Sequence, residues 1–344
     1  MDRRLQELLG VDVPVVAAPM AGGPTTTGLT AAVGSVGAFA FLAAGYKTPA
    51  AVADEIAAVR GSGLPFGVNV FVPTPVQVGE AEFRRYATRI AAEGAPYGLD
   101  LAAAARIEDD DHWAAKIDLL VRDPVPVVSF TFGLPSATVV RELRRAGSRV
   151  LVTVTDPAEA SAAVALGVDG LVAQSGNAGG HYGTFTPDSP AASRPLPELV
   201  GLVADQTGLP VLGAGGVSGG EDVRAALAAG AAAVLVGTLL LRAEESGTSR
   251  THRDALADPR WDRTVVTRAF TGRPARGLRN DFIDRYDAEA PLGYPALHYL
   301  TRPLRTAAAQ AGDADRLHLW AGTGWRSARA APAAEIIAEL TRTL

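Results

Sequence analysis

Residues 149–175 read RVLVTVTDPAEASAAVALGVDGLVAQS and contain one complete strand–helix–strand unit. The run Arg149 to Thr155 is apolar without alternating, which is typical of a parallel strand buried on both faces. Asp156-Pro157 offers a helix N-cap followed by a proline, Ala158 to Leu166 is rich in alanine, and Gly167 stands where a helix C-cap belongs. A second apolar run follows immediately.

The same unit recurs along the chain. Eight short apolar runs predict strands at residues 13–19, 38–44, 66–72, 126–132, 149–155, 170–175, 210–215 and 231–237. Amphipathic segments predict helices at residues 25–33, 49–60, 81–93, 136–146, 158–166, 196–206, 221–229 and 239–245. Eight strand–helix units without a reversal signal favour the α/β class and a closed TIM (β/α)8 barrel over an open sheet.

Two insertions do not fit this repeat. Residues 73–122 are too many for one crossover helix, and residues 246–301 follow the eighth strand. We predict that they form a helical cap over the barrel mouth. The predicted barrel comprises residues 1–72 and 123–245, and the tail, 302–344, is predicted to return to the barrel, either to its mouth or to its outer surface.

Composition excludes several classes of protein. The 344 residues carry a net charge of -5, which argues against nucleic acid or an anionic membrane as partner. Cysteine is absent, so disulfides, iron–sulfur clusters and a cysteine nucleophile are excluded, and redox chemistry would need an organic cofactor. The acidic run 108–111 is predicted to begin a solvated helix rather than to bind metal. Without an apolar signal core or a bilayer-length apolar stretch, we predict a cytoplasmic protein.

Glycine-rich loops follow the seventh and eighth predicted strands, at the barrel end where such enzymes carry their chemistry. They are Gly213 to Gly220, GAGGVSGG, and Val236-Gly-Thr238. Small residues let backbone amides approach an anion closely, and the N-terminus of the following helix adds a favourable dipole. The two loops therefore predict a phosphate site.

Other interpretations of the first loop remain open. As a dinucleotide fingerprint it is incomplete, because Ser218 stands where glycine or alanine is required. The segment Gly216 to Gly220 matches the G-x-S-x-G nucleophile elbow of hydrolases, with Asp222 and histidines downstream, but nothing marks the remaining triad members. The third possibility is an ordinary glycine turn with Ser218 as helix N-cap.

The loop after the sixth strand, QSGNAGGHYG at 174–183, presents one imidazole among small residues. Gln174 offers an amide suited to the edge of a heterocycle such as a pyrimidine-dione. Gly179 and Gly180 would leave a flat surface for a planar ring. His181 would then stand over that ring as general base, the most usual role of an imidazole near neutral pH, rather than make only a structural hydrogen bond.

Two other strands carry candidate site residues. The first ends in Ala18-Pro19-Met20, which places a soft apolar side chain at the mouth. The third contains Asn69 among apolar neighbours. A buried amide needs hydrogen-bond partners, which neighbouring groups or a ligand must supply.

Together these motifs resemble the nitronate monooxygenases, formerly called 2-nitropropane dioxygenases. The family consists of FMN-dependent barrel enzymes related to FMN-dependent enoyl-acyl-carrier-protein reductases. The resemblance covers the barrel from Val13 to Leu240 and continues into the tail. Its marks, in order, are Ala18-Pro-Met-Ala-Gly22, Gly67-Val-Asn69, Ala178-Gly-Gly-His181, Gly213-Ala-Gly-Gly216 with Val236-Gly-Thr238, Thr271-Gly-Arg-Pro-Ala-Arg276 and Trp320-Ala-Gly322.

The resemblance implies FMN as cofactor and His181 as the catalytic base. The implied FMN-binding residues are Ala18, Pro19, Met20, Asn69, Gln174, Gly179, Gly180, Gly215, Gly216, Gly237 and Thr238. An alkyl nitronate, or a nitroalkane deprotonated by His181, would give one electron to FMN, and reaction with O2 would release a carbonyl compound and nitrite. The flavin carries the electron chemistry, so no metal is required.

Three residues depart from the family pattern. In the usual Gln-Gly-x-Glu-Ala-Gly-Gly-His segment, Ser175 and Asn177 replace the first glycine and the glutamate, and Tyr182 stands where a basic residue is common. Without that glutamate we expect a less basic His181. The alternatives are an NAD(P)H-dependent enoyl reductase-like oxidoreductase and a flavin-binding protein without turnover. We expect a small-molecule substrate and O2 as partners, and a homodimer is compatible with the sequence.

Overall fold

Eight parallel strands close into a barrel in the computed structural model, which describes residues 3–73, 76–188, 193–342 and 344. The predicted barrel, insertion and tail segments also include residues 1, 2, 74, 75, 189–192 and 343, which lie outside this description. The strands of the chain are β1 (Val15–Ala17), β2 (Phe39–Ala43), β3 (Phe66–Phe71), β4 (Val127–Thr131), β5 (Arg149–Val154), β6 (Gly170–Gln174), β7 (Gly180–His181), β8 (Val211–Ala214), β9 (Ala233–Val236), β10 (Thr264–Thr267) and β11 (Ala275–Leu278). The barrel runs from β1 to β6 and on through β8 and β9, and β9 pairs with β1. The prediction of a TIM barrel is confirmed.

Helices alternate with the barrel strands. They are α1 (Arg3–Leu9), α2 (Thr27–Gly34), α3 (Pro49–Arg60), α4 (Glu80–Arg89), α5 (Ala91–Gly94), α6 (Trp113–Arg122), α7 (Ala137–Ala146), α8 (Pro157–Val164), α9 (Leu196–Thr207), α10 (Gly220–Ala228), α11 (Arg250–Ala255), α12 (Asp281–Tyr286), α13 (Ala296–Ala311) and α14 (Ala333–Thr341). Within the described ranges, no helix has the length and apolar character needed to cross a membrane.

The predicted eighth helix, 239–245, is wrong. Only a 3-10 turn, Thr238–Leu240, forms there, and α14 from the tail packs against α2 and α10 instead. The segment 239–245 instead contacts the start of α14. The carboxylate of Glu245 accepts a hydrogen bond from the amide of Ala333 at 2.9 Å, at the first turn of α14.

The ring helix between β3 and β4 also differs from the prediction. Helix α6, which lies in the segment assigned to the cap, packs beside α3 and α7, whereas the predicted helix at 81–93 corresponds to α4 and α5. Those two helices pack with the second insertion.

Both faces of the barrel sheet are buried, which explains why its strands are apolar without alternation. Residues such as Phe39, Leu151 and Leu212 form an inner core with Leu5 and Leu9 of α1. The neighbouring strand residues pack outward against the helices.

The two insertions share a second hydrophobic core. Phe83 and Tyr86 of α4 pack with Phe270, Phe282 and Leu297 of the second insertion. The cap is not wholly helical, because β10, β11 and β7 form a three-stranded antiparallel sheet that joins it to the loop after β6.

Glu93, which is 5% exposed, ties these parts together. Its carboxylate accepts hydrogen bonds from Tyr286 at 2.5 Å, from Arg285 at 3.1 Å and from Arg316 at 2.6 Å. Burial alone would raise the pKa of Glu93, but the Tyr286 hydroxyl and the two guanidinium groups outweigh it and lower that pKa. The first insertion, the second insertion and the tail therefore meet at one ionised carboxylate.

We expect Glu93→Gln to lower the free energy of unfolding by about 2 kcal/mol, because it removes a buried charge that the hydroxyl of Tyr286 and the guanidinium groups of Arg316 and Arg285 share. The matched control is Glu289→Gln, whose exposed ion pair with Arg89 is expected to contribute about 0.5 kcal/mol. Urea unfolding curves measure both. Equal losses for the two variants would contradict the role given to Glu93.

Candidate active site

A cavity of about 690 Å³ lies at the carboxyl ends of the barrel strands, a volume usual for a cofactor or small-molecule site. Every residue that the family resemblance assigns to the site lines it, namely Ala18, Pro19, Met20, Asn69, Gln174, Gly179, Gly180, His181, Gly215, Gly216, Gly237 and Thr238. Among the described residues, its lining contains Lys47, Arg302 and Arg305 but no carboxylate side chain. The cavity is therefore suited to anionic ligands.

Polar side chains line the cavity where successive strands end. The Oδ1 atom of Asn69 accepts hydrogen bonds from Ser129 at 2.8 Å and from Thr131 at 3.0 Å. The hydroxyl oxygen of Thr131 lies 3.3 Å from the hydroxyl oxygen of Thr153 on the next strand. The Nδ2 atom of Asn69 has no acceptor among the described residues, so its two N–H groups are available to a ligand.

The amide of Gln174 holds the loop that carries the histidine. Its Nε2 atom donates to the carbonyl of His181 at 3.2 Å, and its Oε1 atom accepts from the amide of Gly183 at 2.7 Å. The acceptor is thus occupied by the loop, and one N–H remains for the edge of a bound ring.

His181 lies on β7 inside an aromatic enclosure. The rings of Phe132 and Tyr294 meet the imidazole edge to face at 5.6 Å, and the ring of Trp320 lies 5.7 Å away. The Nε2 atom is 2.9 Å from the hydroxyl of Thr271. The imidazole is held on one side by this hydroxyl and on its faces by aromatic rings.

Burial, followed by the positive charges of Arg273 and Arg305, lowers the pKa of His181 to about 3. The imidazole is consequently neutral at physiological pH and carries a lone pair. The causes of this shift are burial and two arginines. The expectation that the missing glutamate makes His181 less basic than in its relatives stays a prediction.

Arg273 is a buried cation without a carboxylate partner among the described residues. Its guanidinium lies 4.1 Å above the ring of Phe132, and its Nη2 atom donates to the carbonyl of Thr184. The Nε and Nη1 atoms have no acceptor within the described ranges. Burial lowers the pKa of Arg273 to about 10, so it remains charged at pH 7.

Arg305 is a second buried cation, and it lines the cavity itself. It donates to Thr301 at 3.1 Å and contacts ring nitrogens of His298 at 3.2 Å and His318 at 3.3 Å. Burial lowers the pKa of Arg305 to about 10 as well. Two uncompensated guanidinium groups therefore create a positive field around His181, which favours a negative charge on a bound molecule.

The glycines at the mouth allow three loops to touch backbone to backbone. Gly215 has φ of +108°, and a Cβ atom there would lie 2.8 Å from the amide nitrogen of Ala178. A Cβ atom on Gly179 would lie 2.5 Å from the amide of Gly322 in the tail. That amide donates to the hydroxyl of Thr238 at 2.9 Å. The tail loop therefore reaches the mouth, where Trp320, Gly322 and Gly324 line the cavity.

Sequence reasoning missed several aromatic and basic residues of the cavity. Tyr46 and Phe132 both line the cavity. Their φ angles are +65° and +81°, a strained backbone conformation that residues with large side chains rarely adopt. The ring of Tyr46 stacks on that of His298 at 4.1 Å. Arg305 was also missed, since no local pattern distinguishes a buried arginine on an amphipathic helix.

One residue of the acidic run 108–111 has a role that the sequence did not predict. Asp111 is half-buried and pairs with buried Lys116 at 2.8 Å, and it accepts a hydrogen bond from the amide of Tyr46 at 2.9 Å. It therefore supports a cavity residue, whereas Glu108 to Asp110 are exposed and lie just before the start of α6, in agreement with the predicted solvated helix start. Across the described part of the chain, no cluster of His, Asp or Glu has the arrangement of a metal site.

Ser218 does not act as the predicted N-cap. Helix α10 is capped by Gly219, and the hydroxyl of Ser218 donates to Asp222 at 2.5 Å. Ser218 is exposed, and no described histidine contacts it. The contacts of a hydrolase triad are not formed there.

The sequence of this chain is similar to those of known proteins along nearly its whole length. A family model described as nitronate monooxygenase matches residues 2–343. A probable nitronate monooxygenase of Staphylococcus aureus (strain MSSA476) is 35% identical over 347 residues, covering 98% of this chain and 96% of the relative.

Solved structures show the same relationship. Nitroalkane oxidase from Streptomyces ansochromogenes has a TM-score of 0.91 and 45% identity, over 98% of this chain and 96% of that chain. FabK from Thermotoga maritima has a TM-score of 0.77 at 23% identity, over 99% and 96% of the two chains, which shows a shared fold. This chain is an oxidoreductase that belongs to the nitronate monooxygenase family.

Proposed function

We propose that this protein binds FMN in the barrel cavity and oxidises alkyl nitronates or nitroalkanes with O2 to a carbonyl compound and nitrite. The observation that supports this most directly is a neutral imidazole beside two buried cations, in a cavity whose described lining has no carboxylate side chain. Such a site accepts a proton and stabilises the anion that remains.

The described residues fit FMN. At the ring, Asn69 has two N–H groups without an acceptor and Gln174 has one that the loop does not use. At the phosphate, the amides of the Gly215 and Gly237 loops would serve as donors. The space beside Gly237 is not crowded, because a Cβ atom built there would make only ordinary contacts with Ala18 and Met20.

FMN, when bound, supplies the acceptor for the electron of the nitronate and the means of passing it to O2. The chain's own residues supply the rest. His181 would take the α-proton of a neutral nitroalkane, and the positive charges of Arg273 and Arg305 would stabilise the nitronate so formed. General-base catalysis of this kind typically contributes about 10²–10⁴-fold. The surrounding aromatic rings of Phe132, Tyr294 and Trp320 fix the orientation of the imidazole.

We expect His181→Asn to lower kcat/KM for nitroethane by about 10²–10⁴-fold but to change that for ethyl nitronate by less than about tenfold. The nitronate has already lost the proton that the base removes. O2 consumption and nitrite release measure both reactions. His112→Asn is the control, because His112 is exposed and lies at a positive φ that asparagine tolerates. Equal losses on both substrates would rule out His181 as the base.

We expect kcat/KM for nitroethane to show no inflection from His181 between about pH 5 and 7.5. The base is active when unprotonated, so its activity is lost only as the pH falls through its lowered pKa of about 3. Initial rates with freshly dissolved nitroethane across this range provide the test. An inflection near the ordinary histidine value of about 6.5 would show that the imidazole is not buried as described.

A further inference from the structure

Thr271 links the imidazole of His181 to a backbone carbonyl. Its hydroxyl is buried, 2.9 Å from the Nε2 atom of His181 and 3.2 Å from the carbonyl oxygen of Arg273. Among the described residues, Thr271 is the one hydrogen-bond donor to that carbonyl.

The protons in this chain of contacts can be assigned by counting. A carbonyl oxygen only accepts, so the single hydroxyl proton of Thr271 is directed to Arg273. The oxygen of Thr271 then accepts from His181, which requires the proton to be on Nε2. The opposite arrangement would leave a buried carbonyl without its donor, which is unfavourable.

A neutral imidazole with its proton on Nε2 has its lone pair on Nδ1. The Nδ1 atom of His181 makes no hydrogen bond within the described ranges. Unlike the Nδ1 atom of His318, it is not closed off by surrounding atoms, and His181 lines the cavity. The lone pair is therefore available to a bound molecule.

The other histidines that line the cavity lack this property. Arg305 has only donors, so the ring nitrogens that it contacts, Nδ1 of His298 and Nε2 of His318, must be the acceptors. Their lone pairs are thereby used within the protein. The Nε2 atom of His252 is closed off from the cavity, and the imidazole of His252 also hydrogen-bonds to the backbone of Trp320. Of the four described imidazoles of the cavity, His181 alone presents a free lone pair.

We propose that Thr271 is a positioning residue that holds His181 as the Nε2–H tautomer, so that Nδ1 is the atom that takes the substrate proton. The second half of this statement rests on the proposed function, whereas the tautomer does not. The proton moves from the α-carbon of the nitroalkane to Nδ1, and the C–H electron pair stays with the nitronate. The Nε2–H bond to Thr271 remains intact throughout.

The tautomer is measured directly by ¹⁵N NMR of the purified protein with ¹⁵N-labelled histidine. The signals of His181 are those lost in His181→Asn. We expect a protonated Nε2 and an unprotonated Nδ1 in the wild type and in Thr271→Ser, and a change toward mixed tautomers in Thr271→Val. A wild-type His181 protonated on Nδ1 would overturn the proposal, whatever the kinetics show.

The kinetic test uses two substrates. Thr271→Val should lower kcat/KM for nitroethane about tenfold, the equivalent of one hydrogen bond, and leave that for ethyl nitronate nearly unchanged. Thr271→Ser should restore most of the loss.

The matched control is Thr267→Val, because Thr267 is equally buried and its hydroxyl bonds Asp287 at 2.8 Å without touching His181. This control should retain both activities.

If Thr271→Val loses no nitroethane activity, or loses both activities equally, Thr271 does not position the base. If Thr271→Val fails to fold, the wild-type and Thr271→Ser spectra still decide the tautomer. If His181→Asn keeps its nitroethane activity, His181 is not the base and Nδ1 does not take the substrate proton, while the tautomer assignment stands. If the wild type oxidises neither substrate, the proposed function fails and the tautomer assignment still stands.

Discussion

Closure of the sheet between β9 and β1 is the constraint on which the rest of the molecule depends. Val16 pairs with Leu235 on one side and with Phe39 on the other, so the barrel has no free edge. Closure brings the carboxyl ends of all eight barrel strands to one mouth. The polar residues there can therefore converge on one cavity although they are far apart in sequence.

A second constraint is electrostatic. Arg273 and Arg305 are buried with no carboxylate partner among the described residues, an arrangement that disfavours the empty cavity. A bound anion would relieve this cost. Burial, together with the same field, lowers the pKa of His181. In the proposed reaction the field would stabilise the nitronate, because removal of a proton from a nitroalkane creates a negative charge. In that proposed reaction, stabilisation of the anion would offset the low basicity of His181.

Much of the fold was predictable because the information is local. A strand buried on both faces reads as an apolar run, and Gly167 or Asp156 marks a helix end from a few neighbouring residues. Helix α14 was not predictable in this way, since its place beside α2 and α10 depends on a contact between Glu245 and Ala333. The glycine loops and His181 were found from sequence because small residues and a lone imidazole stand out. Arg305 and Thr271 acquire their roles only from what surrounds them in space.

The most direct test of the account is anaerobic mixing of the purified protein with ethyl nitronate, followed in the visible spectrum, with NADPH mixed in a parallel experiment. The account predicts a yellow, FMN-containing protein whose flavin absorbance falls with ethyl nitronate and stays constant with NADPH. A colourless protein that does not take up added FMN would contradict the central claim. Reduction by NADPH alone would contradict nitronate oxidation and indicate an NAD(P)H-dependent reductase in the same barrel.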